Sequence, residues 1–229
     1  ASINTQTGFS IIKYTGSGVS GNTVAHGLTK EPAFVIVKKY EEAGNWGVYH
    51  QGLTDNTKVL TLNTDNAEVT PSDAFFTWNN TTTNLLGLGD NTITNDSTEG
   101  TIAFLWADVP GLQKFGKYKG SGDNNGTVVY LGFRPAVVWV KCTSDAGQEW
   151  VVWDDVRDVY NKMTTSVYIQ SNASEASVGT TRQVDFLSNG FKLRNGSSGA
   201  TDYGSRTYIY CAWAHQPLHN IYGASSNGR

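Results

Sequence analysis

The sequence predicts an all-β chain made of two homologous sandwich or jelly-roll halves, tightly packed, and three observations carry that prediction. Sequence markers recur at a nearly constant spacing along the chain. Runs of four to eight β-branched and aromatic residues are bounded by Gly, Asn, Asp, Ser and Pro, the pattern of short strands between turns. No stretch keeps apolar residues at i, i+3, i+4 and i+7 over three turns; the best, Asp154 to Tyr160, supports one or two turns at most. Composition agrees, since Gly, Ser, Thr and Asn make up 88 of the 229 residues. With 38% hydrophobic residues, including seven Trp, eleven Tyr and nine Phe, the chain has enough apolar area to fold.

The repeat is read from markers that keep step. Lys13-Tyr14-Thr15-Gly16-Ser17-Gly18 aligns with Lys117-Tyr118-Lys119-Gly120-Ser121-Gly122, and Pro32-Ala33-Phe34-Val35-Ile36-Val37-Lys38 with Pro135-Ala136-Val137-Val138-Trp139-Val140-Lys141. Trp46 aligns with Trp150, and Ile102 to Ala107 with Ile209 to Ala214. Repeat one is placed at 8–112, repeat two at 114–218 and a polar tail at 219–229. The join at 109–113 is too short for a flexible linker, so the halves are expected to pack together.

Strands are expected at 9–14, 22–26, 33–39, 46–50, 58–63, 74–78, 84–88 and 101–107. Their counterparts are 115–119, 126–131, 136–142, 150–154, 166–170, 183–187, 190–194 and 206–214. Phe34 to Val37 and Val137 to Val140 do not alternate, which predicts strands covered on both faces, as in sheets stacked on each other.

Charge and motifs exclude several function classes. The formal charge is -3 and Lys and Arg are scattered singly, so nucleic acid is not an expected partner. No apolar run approaches the roughly 20 residues of a membrane span, and the first residues lack a signal-peptide pattern. Cys142 and Cys211 are too few for a disulfide framework and are expected to be buried thiols. Gly16 to Gly21 spells G-x-G-x-x-G, yet a strand rather than a helix follows, which predicts a hairpin loop and not a phosphate cradle. His26, His50, His215 and His219 lack metal-ligand spacing. Asp90-Asn91, Asn95-Asp96 and Asp123-Asn124-Asn125 could supply oxygen ligands, which makes calcium the one cofactor considered, but their spacing reads as turns. The several N-x-S/T triplets are expected by chance in a chain so rich in these residues. Asp154, Asp155 and Asp158 are the raw material of a glycosidase pair, yet adjacent strand positions point to opposite faces, and no E-x-D-x-x-E pattern occurs. No catalytic residue is assigned, and a glycan hydrolase stands only as the lesser alternative.

The aromatics point to binding. On strand alternation Trp46, Val48 and His50 share a face, as do Trp150, Val152 and Asp154, leaving Tyr49 and Trp153 on the other. A flat ring beside hydrogen-bonding side chains suits a sugar, whose C–H groups stack while its hydroxyls find polar partners. The candidate ligand-binding residues are therefore Trp46, Tyr49, His50, Trp150, Trp153, Asp154 and Asp155. Should the rings all be buried, the binding surface is expected in the loops around 79–98 and 195–205.

At Gly8 to Gly16, His26-Gly27-Leu28 with Pro32 to Lys38, Trp46 to His50, Phe186 to Arg194 and Tyr208 to Ala214, the chain resembles a repeated module of tail-fibre and other virion proteins of bacteriophages, especially marine ones. Such modules often accompany concanavalin A-like lectin domains. The resemblance implies a lectin-like sandwich, assembly in the host cytoplasm, display on a virion tail or fibre exposed to the medium, and a host surface polysaccharide or lipopolysaccharide as ligand. Other virion proteins and identical subunits, most simply in a trimer, are the implied partners. A purely structural spacer or decoration domain is the alternative. The resemblance assigns no functional residue.

Overall fold

A computed structural model of the chain describes residues 1–177 and 181–216. The polar tail assigned to 219–229 and His219 lie outside the described residues. The fold is all-β with several sheets, consistent with a β-sandwich. It divides into two compact units: the first is Ala1–Asn63 with Glu68–Asp108, the second runs from Val109 onward with the short segment Thr64–Ala67.

Unit 1 holds β1 (Ser2–Asn4), β2 (Phe9–Thr15), β3 (Thr23–Ala25), β4 (Phe34–Lys39), β5 (Gly47–His50), β6 (Leu60–Thr61), β7 (Leu85–Gly87) and β8 (Gly100–Trp106). One sheet has the order β1-β2-β8-β4-β5-β6; β3 and β7 form a second, antiparallel pair. Residues 74–78, read as a strand, form none: a single bridge joins Phe76 to Leu88, and the chain then closes a 3-10 turn at Trp78–Asn80. The edge strand β1 and the one-turn helix α1 (Thr92–Asn95) escape the periodicity argument because three or four residues are too few to show a period. Phe34, Val35, Ile36 and Val37 are all buried, so β4 is covered on both faces as its unbroken apolar run predicts.

Unit 2 holds β9 (Gln113–Lys119), β10 (Val128–Tyr130), β11 (Pro135–Cys142), β12 (Trp150–Asp154), β13 (Thr165–Tyr168), β14 (Ala176–Ser177), β15 (Val184–Leu187), β16 (Gly190–Leu193) and β17 (Thr207–Ala214). A six-stranded sheet runs β14-β13-β12-β11-β17-β9 and a three-stranded one β10-β16-β15. The core lies between them: Tyr118, Val138, Val140, Val151, Trp153 and Tyr208 from the larger sheet meet Val129, Val184, Phe186, Phe191 and Leu193 from the smaller. Phe191 sets its ring edge-on against Tyr118 at 6.2 Å and Tyr210 at 5.7 Å. Here β11 departs from expectation. Val138 and Val140 are buried, but Val137 and Trp139 are only half-buried, so this strand alternates. Cys142 and Cys211 are buried and form no disulfide.

Read from one edge, the large sheets share an order: β2-β8-β4-β5-β6 in unit 1 and β9-β17-β11-β12-β13 in unit 2. Their glycine-serine-glycine loops are also tied down alike. Tyr14 donates its hydroxyl to Thr94 O at 2.6 Å, as Tyr118 does to Thr201 O. Ser17 N–H donates to Asn95 Oδ1 at 2.8 Å, and Ser121 N–H to Asp202 Oδ1 at 2.9 Å. The opening glycines are required by close approach, because a Cβ on Gly16 would stand 1.9 Å from Asp96 O and one on Gly120 2.2 Å from Tyr203 O.

Candidate functional site

The residues chosen from strand alternation are placed by the fold where most cannot meet a ligand. Tyr49 is 6% exposed, Trp150 1%, and His50 and Trp153 not at all. The expectation of stacking rings on β5 and β12 is corrected: alternation separates two faces of a strand, and in these inner strands both are covered. Trp153 points its indole N–H at Arg182 O, 3.0 Å away, inside the core. His50 Nδ1 accepts the Gly52 N–H at 2.9 Å, and its ring meets Phe34 edge-on. Only Trp46, which precedes β5, keeps 36% exposure.

The acidic candidates are engaged as well. Asp154 caps the following turn, accepting the N–H groups of Val156 (3.1 Å) and Arg157 (2.9 Å), and pairs with the Arg157 guanidinium. Asp155 pairs with His215. The calcium candidates serve turns: Asp90 accepts Ala74 N–H, Asn91 caps α1, Asp96 pairs with Lys39 at 2.7 Å and Asp123 accepts Asn125 N–H. Among the described residues no three His, Cys, Asp or Glu side chains converge as a metal site would need. The G-x-G-x-x-G loop also has its own occupant, since the Ser17 amide is held by Asn95. No helix among the described residues is long and apolar enough to cross a membrane.

What the fold does assemble is a cleft of about 500 Å³ in unit 1, beside Trp78. Residues 75–81 are fastened along β7 and the residues after it: Thr77 N–H to Gly87 O (3.1 Å), Thr77 hydroxyl to Leu88 O (2.9 Å), Gly89 N–H to Phe75 O (3.1 Å) and Gly87 N–H to the Thr81 hydroxyl (3.0 Å). Asn80 Nδ2 donates to Gly21 O at 2.8 Å. The turn so braced carries Trp78 half-buried, one indole face stacked on the Tyr49 ring with centroids 3.5 Å apart at 23°. Phe76 meets the indole edge-on at 6.3 Å, and the Trp78 indole N–H donates to Glu31 Oε1 at 2.7 Å. Burial, and after it the charge of Glu31, pushes the Tyr49 phenol up to about 12, so the supporting ring stays neutral. Tyr49 thus belongs to the site from beneath, as the support of a platform.

Around that ring the cleft is lined by Asn56, Thr57, Thr70, Ser72 and Asn79, with Pro71 and Phe76 as apolar walls. Thr57 is bonded to Asp55, whereas the side chains of Asn56, Thr70 and Asn79 make no hydrogen bond among the described residues. A braced ring edged by open amide and hydroxyl groups can stack the C–H face of a sugar and bond its hydroxyls. Trp78 is not among the residues that strand alternation singles out, and no tryptophan stands opposite it in the second repeat. The signal was the polar run Asn79-Asn80-Thr81-Thr82-Thr83 that follows it.

A second, more open depression of about 750 Å³ lies in unit 2, among Asp123, Asn124, Ser197, Tyr203 and the glycines 122, 196 and 204. Tyr203 is 49% exposed, and the Arg206 guanidinium sits 4.8 Å from its ring centroid.

A family profile described as a domain of unknown function (DUF7483) matches residues 1–217. No curated protein and no solved structure matches the chain at a significant level.

Proposed function

The chain belongs to the DUF7483 family, whose description assigns no activity, and from its own surface we propose a non-enzymatic glycan-binding module that takes its ligand in the cleft beside Trp78. The observation that carries the reading is the Trp78 ring, braced from below by Tyr49 and edged by the unengaged side chains of Asn56, Thr70 and Asn79. The absence of any carboxylate from the cleft lining favours binding over glycoside hydrolysis, which uses two. The sequence resemblance supplies the setting: a phage virion protein, displayed on a tail or fibre, that meets a host surface polysaccharide or lipopolysaccharide. A single sugar site is weak, so presentation by several identical subunits, a trimer in this proposal, adds avidity. The shared strand order and the matched loop bonds support reading the two units as copies of one sandwich.

Titration of the full chain with bacterial surface polysaccharides tests this. Trp78→Ala is expected to abolish binding, and Asn79→Ala, at an exposed side chain without a hydrogen bond, to weaken it with unchanged melting. Polysaccharide binding unaffected by both substitutions, or no binding at all, refutes the proposal. The rival reading, a structural virion spacer, is favoured by the burial of Trp150 and Trp153 in the fold and predicts no saccharide binding above background.

A further inference from the structure

We infer that the Trp78 cleft selects uncharged sugars and turns away anionic ones such as uronates and sulfated glycans. The inference rests on the glycan-binding reading and narrows its ligand. None of the cleft's lining residues is Asp, Glu, Lys or Arg, so a sugar carboxylate or sulfate would find no cation to pair with, and an amino sugar no carboxylate.

Three carboxylates stand just outside the lining. Glu31 holds the indole N–H of Trp78, Asp55 precedes Asn56 and is fixed by Thr57, and Asp73 follows Ser72. Lys58, the cation next to this group, does not line the cleft and acts on Asp55. A carboxylate rim opposes an incoming anion, and it does so through solvent, where salt screens the effect. A neutral sugar instead meets groups that both donate and accept: the amides of Asn56 and Asn79 and the hydroxyl of Thr70 match adjacent sugar hydroxyls, each of which also donates and accepts.

The test uses the full chain and two panels of immobilised oligosaccharides, one neutral (glucan, mannan, galactan) and one anionic (oligouronates and sulfated galactan). Binding confined to the neutral panel is expected, with affinity changing less than about twofold between about 50 and 500 mM NaCl. The sulfated galactan is expected at least about tenfold weaker than its neutral counterpart. Thr70→Lys, which sets a cation in the lining, should narrow that gap, while Trp78→Ala removes binding to either panel. Preferential binding of the anionic panel, weakened by salt and lost with Trp78→Ala, overturns the charge selection and leaves glycan binding standing. Binding to either panel that survives Trp78→Ala, or none to either by the folded protein, overturns the site itself.

Discussion

Asp202 offers the sharpest test of how the glycine-serine-glycine loop is held. Its carboxylate is fully buried and accepts four hydrogen bonds: Ser121 N–H at 2.9 Å, Ser121 hydroxyl at 2.9 Å, Thr127 N–H at 3.2 Å and Thr127 hydroxyl at 2.9 Å. Asp202→Ala strips the acceptor from all four. The hydroxyls can turn to other acceptors, but the two backbone N–H groups are fixed in direction. Both bonds are part-buried, so each orphaned donor costs at the low end of about 1–3 kcal/mol and the pair about 2 kcal/mol. At about 3 °C per kcal/mol for a domain of this size, melting should fall by about 6 °C. Asp202→Asn keeps one oxygen for the Ser121 amide, as Asn95 does for Ser17 in unit 1, yet turns an NH₂ group toward a donor at Thr127. Its cost should be about half as large, about 1 kcal/mol. Urea unfolding followed by the fluorescence of Trp139, Trp150, Trp153 and Trp213, all in unit 2, measures both variants. A loss under about 1 kcal/mol for the alanine variant, or an asparagine variant worse than the alanine one, would refute the accounting.

Three further outcomes follow from buried groups. Burial lowers the pKa of His26, whose Nδ1 accepts the Leu28 N–H and whose Nε2 faces Thr82 O. The unfolded chain then binds the extra proton first, so stability should fall as pH drops below about 6.5, and denaturant titrations at several pH values should show that part of the loss missing in His26→Gln. Lys141 is fully buried, and desolvation lowers its pKa from 10.5 to about 8. The unfolded state binds more protons between those values, so stability should rise with pH across that window by on the order of 3 kcal/mol, and the same titrations on Lys141→Met should show the slope gone. Trp153→Ala should cost about 3–5 kcal/mol through the cavity it leaves while glycan affinity stays unchanged, as calorimetry of melting and binding would report.

The strands were legible because β-branched runs ended by turn residues carry their own local signal. In this way β2, β4, β5, β8 and, in unit 2, β9, β11, β12 and β17 were readable within a few residues. Segment 74–78 misled because Phe75 and Phe76 look like strand residues, while Thr77 and Trp78 are captured by bonds to Gly87 and Leu88 and by the Tyr49 ring, all distant in sequence. The site failed for a related reason. Alternation places Tyr49 and Trp153 on one side of their strands, but whether that side is covered depends on layers no local pattern reveals. Trp78, by contrast, owes its surroundings to Asn56 and Thr70, and only folding brings these three together.

The stack of Trp78 on Tyr49 also equips the protein with a built-in optical probe. Two aromatic chromophores 3.5 Å apart couple electronically, so the pair should add a circular-dichroism band that disappears when either ring is replaced. Excitation absorbed by the phenol passes to the indole, and a sugar laid over the free side would change the emission. The neighbouring carboxylates attract caesium ions and repel iodide, so the two quenchers should differ most at this residue. With the other partly exposed unit 1 indoles silenced by Trp46→Phe and Trp106→Phe, ligand arrival could be followed in solution without any attached dye.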